Sequence, residues 1–272
     1  MTAITLEPAP GIQGVTGAPW TGVRYFSTWR IGGVSLPPRD SLNLGAHVGD
    51  DPAAVQENRR RLRQALPGEP FWLEQVHGTE VFDADGVPDA CGQFADGEAG
   101  VPPARADAAV TTRRSRPLVI MTADCLPVVL ADEHGTVLGV AHAGWRGLAS
   151  GVLENTLDAM RRRAPGVRRW RAWIGPGIGS RAFQVGPEVR AAFIDAAPAG
   201  AGRAHWASFF VAEPASDRWL ADLAGLAGAR LRQAGVSYVA SSGECTWTQA
   251  DRYFSHRRDP GSGRQATLAW LP

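Results

Sequence analysis

The chain contains no lysine, so all 28 of its basic residues are arginine. That absence removes Schiff-base and P-loop lysine chemistry. Against 27 acidic residues the formal net charge is only +1, which leaves no excess of either sign to drive binding to nucleic acid or an anionic membrane. No nucleic-acid or membrane partner is expected and no protein partner is evident; the expected ligand is a small molecule. Cysteine is scarce as well. Cys91, Cys125 and Cys245 are odd in number and widely spaced, unlike a secreted disulfide framework. The first twenty residues lack both a secretory pattern and a run of membrane-spanning length, so a cytoplasmic location is expected. Also missing are the His-Glu-x-x-His helix, the Gly-x-Ser-x-Gly elbow, the Walker A loop and the His-x-Glu with Pro-Cys-x-x-Cys pattern of zinc deaminases. Gly175-Pro176-Gly177-Ile178-Gly179 resembles a dinucleotide-binding turn but breaks its spacing.

What is present is a globular composition, 44% hydrophobic and 20% charged over 272 residues, which suits one compact domain. Residues 1–19 read as an N-terminal extension and 20–272 as a single catalytic domain. Asp51-Pro52 opens a helix over 52–66, ended by Pro67-Gly68. Strands are expected at 71–76 and 79–82, then a long loop over 86–105 that contains Cys91. Buried strands come next at 106–111 and 118–122, and a hairpin at 126–131 and 137–141 turns around Glu133-His134-Gly135. Helices are expected at 149–163, 187–196 and 217–234, with strands at 172–174, 236–240 and 265–270.

The chemistry concentrates in three short segments, Gln75-Val76-His77-Gly78, Ala123-Asp124-Cys125-Leu126-Pro127 and Ala141-His142-Ala143-Gly144-Trp145-Arg146-Gly147. Each offers one metal donor beside turn residues. The hairpin brings Cys125 and His142 to the same sheet end, and His77 sits at a strand end. A thiolate and two imidazoles suit zinc, or copper(I), better than magnesium or calcium. Three protein donors leave one tetrahedral position open, as catalytic zinc sites do. Taken singly, a buried Cys or His is more often an ordinary core residue; the combination is what points to a site.

Asp124 is a candidate general base or partner to a metal-binding imidazole, with the alternative role of capping a turn. Arg146, between two glycines before a helix start, is a candidate phosphate ligand. Arg59 and Arg257 are further phosphate candidates, although their arginine runs also suit solvated faces. Asn43 and His47 either reach a substrate or brace their turn-rich loop.

These segments, together with Ser41-Leu42-Asn43-Leu44-Gly45 and Ile174-Gly175-Pro176-Gly177-Ile178, resemble the bacterial purine nucleoside phosphorylase family once called multicopper polyphenol oxidoreductases or laccase-domain proteins. The resemblance spans about residues 20 to 271. It implies a single-domain α+β fold, a layered α/β/β/α sandwich with mixed sheets. It also implies one zinc on His77, Cys125 and His142. The implied activity is phosphorolysis of adenosine, inosine, guanosine and methylthioadenosine, with adenosine deamination. Alternatives are an editing hydrolase of peptidoglycan precursors, a copper-dependent polyphenol oxidase and a non-enzymatic metal or nucleoside sensor. The chain departs from the family pattern at His256, where tyrosine is frequent.

Overall fold

The apolar runs near 118–122, 126–132 and 138–143 are buried at every residue, so both faces of each strand must be covered. The computed structural model, which describes residues 3–87, 103–195, 202–214 and 216–272, shows how. A five-stranded sheet has the order β1 (Ile4–Ala9), β2 (Ile12–Thr16), β3 (Arg24–Thr28), β16 (Gln265–Trp270), β8 (Leu118–Thr122). A six-stranded sheet has the order β15 (Tyr238–Ser241), β11 (Trp170–Ile174), β9 (Leu126–Asp132), β10 (Leu138–Ala143), β7 (Ala108–Thr111), β5 (Val81–Asp83). The second sheet is mixed, because β11 pairs with β15 and β5 with β7 in parallel while its other pairs are antiparallel.

The two sheets face each other across a seam filled by Tyr25, Ile120, Val129, Leu138, Val140 and Trp173. The alternate residues point outward. Val128, Leu130 and Ala141 pack with Leu157 of α3 (Val152–Arg163) and Leu226 of α6 (Leu223–Gln233). On the other side Phe26, Val119 and Leu268 pack with Leu62 of α1 (Pro52–Arg63). The result is the α/β/β/α order implied by the family resemblance. The remaining elements are α2 (Trp145–Ser150), α4 (Pro187–Asp195), α5 (Arg203–Ala207), single 3-10 turns at Ala46–Val48 and Ala84–Gly86, a pair β4 (Leu73–Glu74) and β6 (Ala104–Arg105), and a small sheet of β12 (Gln184–Val185), β14 (Trp219–Ala221) and β13 (Phe210–Ala212). Among the described residues no helix is long and apolar enough to cross a membrane.

Several elements differ from the sequence expectation. Residues assigned to an N-terminal extension form β1 and β2, the outer two strands of the first sheet. The helix expected over 149–163 is two helices, because Gly151 takes φ 99° and breaks the run after Ser150. The helix expected from 217 begins only at Leu223, where Asp222 accepts a hydrogen bond from the Gly225 N–H at 2.8 Å; β14 occupies the preceding residues. The strand expected over 71–76 narrows to Leu73–Glu74. Cys91 and most of the expected 86–105 loop lie outside the described residues, as does Ala196 at the end of the helix expected over 187–196.

Candidate metal centre and cleft

β9 and β10 form the expected hairpin, with His142 opposite Pro127 and Ala143 opposite Leu126. Cys125 lies one residue before β9, so antiparallel pairing sets it beside His142. His77 arrives separately, on the segment after β4. Its backbone is left-handed, with φ 61°. Donor atoms of His77, Cys125 and His142 all lie within 4.8 Å of one another. The Cys125 Sγ is 3.9 Å from His77 Nε2, and the two imidazoles meet edge to face at 4.8 Å between centroids. One thiol and two imidazoles converging at this distance fit a soft or borderline metal ion.

One buried carboxylate organises two of the three donors. Asp107, fully buried before β7, lies across from His142, whose backbone N–H donates to the Asp107 carbonyl at 2.7 Å. Its side-chain Oδ1 lies 2.8 Å from His142 Nδ1 and accepts the His77 N–H at 2.9 Å. Oδ2 accepts the N–H groups of Val76 at 3.1 Å and Gly78 at 2.6 Å. With the His142 proton held at Nδ1, Nε2 is left to face the other donors. Sequence inspection missed Asp107. Its one visible signal is a charged residue set among alanines at the head of an apolar strand, Ala106-Asp107-Ala108.

Gly144 has a steric role. A Cβ there would stand 2.9 Å from Cys125 Sγ and 3.0 Å from His77 Cδ2, so no larger residue fits between the donors. Gln75 ties the same loop to the other sheet, its amide exchanging two 2.8 Å hydrogen bonds with the backbone of Met121 in β8.

The donors perturb one another electrostatically. Burial alone would raise the Cys125 thiol, but His142 and His77 outweigh it and bring the pKa down to about 6. Burial alone would lower His142, yet Cys125 and Asp107 raise it to about 9. Asp107 itself, despite burial, is held below the usual carboxylate value by hydrogen bonds from His142, Gly78 and Val76.

A cleft of about 430 Å³ opens over these groups, lined also by His47, Met121, Thr122, Arg146, His256 and Arg264. Its size is that of a small-molecule site. Of the sequence-chosen residues, His47 and Arg146 line it, the latter with its guanidinium 4.5 Å from the Trp145 ring. Asn43 does not; it is buried and hydrogen bonded to Asp50, Gly45 and the Arg264 N–H. Arg59 lies 4.0 Å from the Trp72 ring centroid and donates to the Leu44 carbonyl. Arg257 points its guanidinium to the Gln184 carbonyl at 2.8 Å. Asp124 turns away from the donors: its carboxylate accepts from the Thr246 hydroxyl at 2.7 Å and the Arg257 N–H at 2.6 Å. Arg264, which sequence reading overlooked, lies on the cleft wall.

Residues 24–272 match the family model for multi-copper polyphenol oxidoreductase laccase. The chain is 45% identical over 254 residues to the purine nucleoside phosphorylase YfiH of Escherichia coli K12, covering 92% of this chain and 94% of that protein. It is 47% identical over 249 residues to a purine nucleoside phosphorylase of Pseudomonas aeruginosa, covering 92% and 93%. Among solved structures, a Neisseria meningitidis protein superposes with a TM-score of 0.80 at 39% identity, covering 100% of this chain and 99% of that one. YlmD from Geobacillus stearothermophilus superposes at 0.86 with 29% identity, covering 99% of each.

Proposed function

Because the chain belongs to the multi-copper polyphenol oxidoreductase laccase family, whose Escherichia coli and Pseudomonas aeruginosa relatives are named purine nucleoside phosphorylases, we propose that it is a zinc-dependent purine nucleoside phosphorylase that also deaminates adenosine. Adenosine, inosine, guanosine and methylthioadenosine are the proposed substrates, with inorganic phosphate. The observation that carries the reading is the convergence of His77, Cys125 and His142 at the floor of a cleft whose wall also carries Arg146 and Arg264.

In phosphorolysis a phosphate oxygen bonds to the anomeric carbon while the electron pair of the C–N bond leaves with the purine, which must acquire a proton or a compensating charge. The chain's part is to hold an anion beside the sugar and to meet the charge developing on the base. Arg146 and Arg264 are the guanidinium groups on the cleft wall for the first task. His47 and His256, both exposed, line the same cleft. A zinc ion on His77, Cys125 and His142 would add Lewis-acid charge at the same wall. The polyphenol oxidase reading has less support, because among the described residues this trio is the one group of three His, Cys or carboxylate donors close enough to hold a metal, whereas multicopper chemistry needs several such sets.

The test is release of free base from inosine and adenosine by protein of measured zinc content, with and without phosphate. Base release that requires phosphate and scales with zinc is expected, and Cys125→Ala should lose both metal and activity while remaining folded. Phosphate-independent release, or full activity in zinc-free protein, would overturn the assignment.

A further inference from the structure

A half-buried guanidinium on the cleft wall, that of Arg264, has no carboxylate among the described residues to balance it. Its NH1 donates to the carbonyls of Ser262 at 2.9 Å and Gly263 at 3.0 Å, which fixes that side of the guanidinium, while no carboxylate within ion-pair distance of it is found among the described residues. Burial pulls its pKa below the usual guanidinium range, an effect that Cys125 and Asp124 oppose. A cation held against carbonyls in a cleft and only partly compensated is a receptor for an anion.

The surrounding loop is built around this arginine. Asn43 Oδ1 accepts the Arg264 N–H at 2.9 Å, and the Arg264 carbonyl accepts the Leu44 N–H at 3.0 Å. Gly45 leaves room for the stem, since a Cβ there would lie 2.8 Å from Arg264 Cγ. The Ser41-Leu42-Asn43-Leu44-Gly45 segment is thereby a clamp that sets the position of Arg264, and Asn43 acts through it rather than on a ligand. Arg146, by contrast, is exposed and lies against Trp145, where water screens its charge.

We propose that Arg264 is the anchor for inorganic phosphate in this cleft, with Asn43 as its positioning residue. The assignment rests on the phosphorylase reading for its kinetic consequence but not for the binding event itself. A planar guanidinium presents paired donors to two phosphate oxygens.

The experiment compares zinc-loaded wild type with Arg264→Gln and Arg264→Lys in two measurements. The first is the thermal shift and calorimetric titration with inorganic phosphate alone. The second is the separate KM for phosphate and for inosine. Loss of the phosphate-induced shift in Arg264→Gln is expected, with a rise of about tenfold or more in KM for phosphate and a change under about threefold for inosine. Arg264→Lys keeps the charge without the fork, so it should weaken phosphate by a smaller factor and report even if Arg264→Gln misfolds. An unchanged phosphate KM and shift, or an equal rise in both KM values, overturns the proposal. If wild type binds phosphate through Arg264 yet releases no base, the phosphorylase reading fails while the anion site stands; absence of phosphate binding in wild type overturns the site.

Discussion

Replacing Asp107 by Asn keeps its shape and removes its charge, and four hydrogen bonds determine the cost. Asp107 receives Val76 and Gly78 N–H groups on Oδ2 and His77 N–H with His142 Nδ1 on Oδ1. An asparagine offers one acceptor and one donor, so whichever way the amide turns, two donors meet an N–H₂ instead of an oxygen. The site is fully buried, and each unmatched donor costs about 1–3 kcal/mol, giving roughly 2–6 kcal/mol in all. For a chain of this size each kcal/mol moves Tm by about 2–4 °C, so metal-free Asp107→Asn should melt roughly 4–24 °C lower. The metal loses its oriented partners at the same time: His77 is no longer held in its turn, and the His142 proton is no longer pinned at Nδ1. Metal affinity should fall about 10–100-fold, read by competition against a chromophoric chelator. A variant with unchanged affinity and a Tm within a degree or so of wild type would refute the account of Asp107 as the common support of both imidazoles.

The paired shifts of Cys125 and His142 set a proton count for metal binding. Cys125 ionises through about 6 and His142 stays protonated up to about 9, so between those values binding should release about one proton, from His142. Affinity should then rise with pH across that window and flatten above it; calorimetry in buffers of different ionisation heat reads this, and zero proton release there would contradict the pairing. Gly144→Ala should lower metal affinity more than it lowers the metal-free Tm, because the added methyl meets Cys125 Sγ at 2.9 Å; equal metal affinity would show that the donors can part. Asp124→Asn should destabilise by about 1–3 kcal/mol in denaturant unfolding, through its contacts to Thr246 and the Arg257 N–H. A loss of turnover with no loss of stability would instead return Asp124 to the general-base role that its place beside Cys125 suggests.

The parts of the site legible in sequence are those made by neighbours along the chain. The β9–β10 hairpin could be read from its two apolar runs and its turn, and antiparallel pairing then forces Cys125 and His142 together. Asp107 is opaque for the converse reason: it meets His142 across a strand pair 35 positions apart, a distance that leaves no local trace. Arg264 is held by Asn43 from 221 positions away and looks in sequence like one of many arginines. Asn43 itself was visible within its segment, but only the packed loop distinguishes bracing from binding. The helix break was readable in principle, since Gly151 is a strong C-terminal signal; the amphipathic run that continues beyond it through Met160 masked the stop.

Thr122 and His142 share the cleft yet belong to different sheets, each at the seam-facing end of its strand, with Ile120 and Val140 two residues before them on the same faces. The two sheets therefore act as the jaws of a caliper whose opening is gauged by the apolar residues between them. Packing inside a sandwich is close to incompressible, so a methyl added or removed at Ile120 or Val140 would be felt at the mouth as a change of aperture. The spacing of groups at the cleft is thus set in part by interior residues that do not line it.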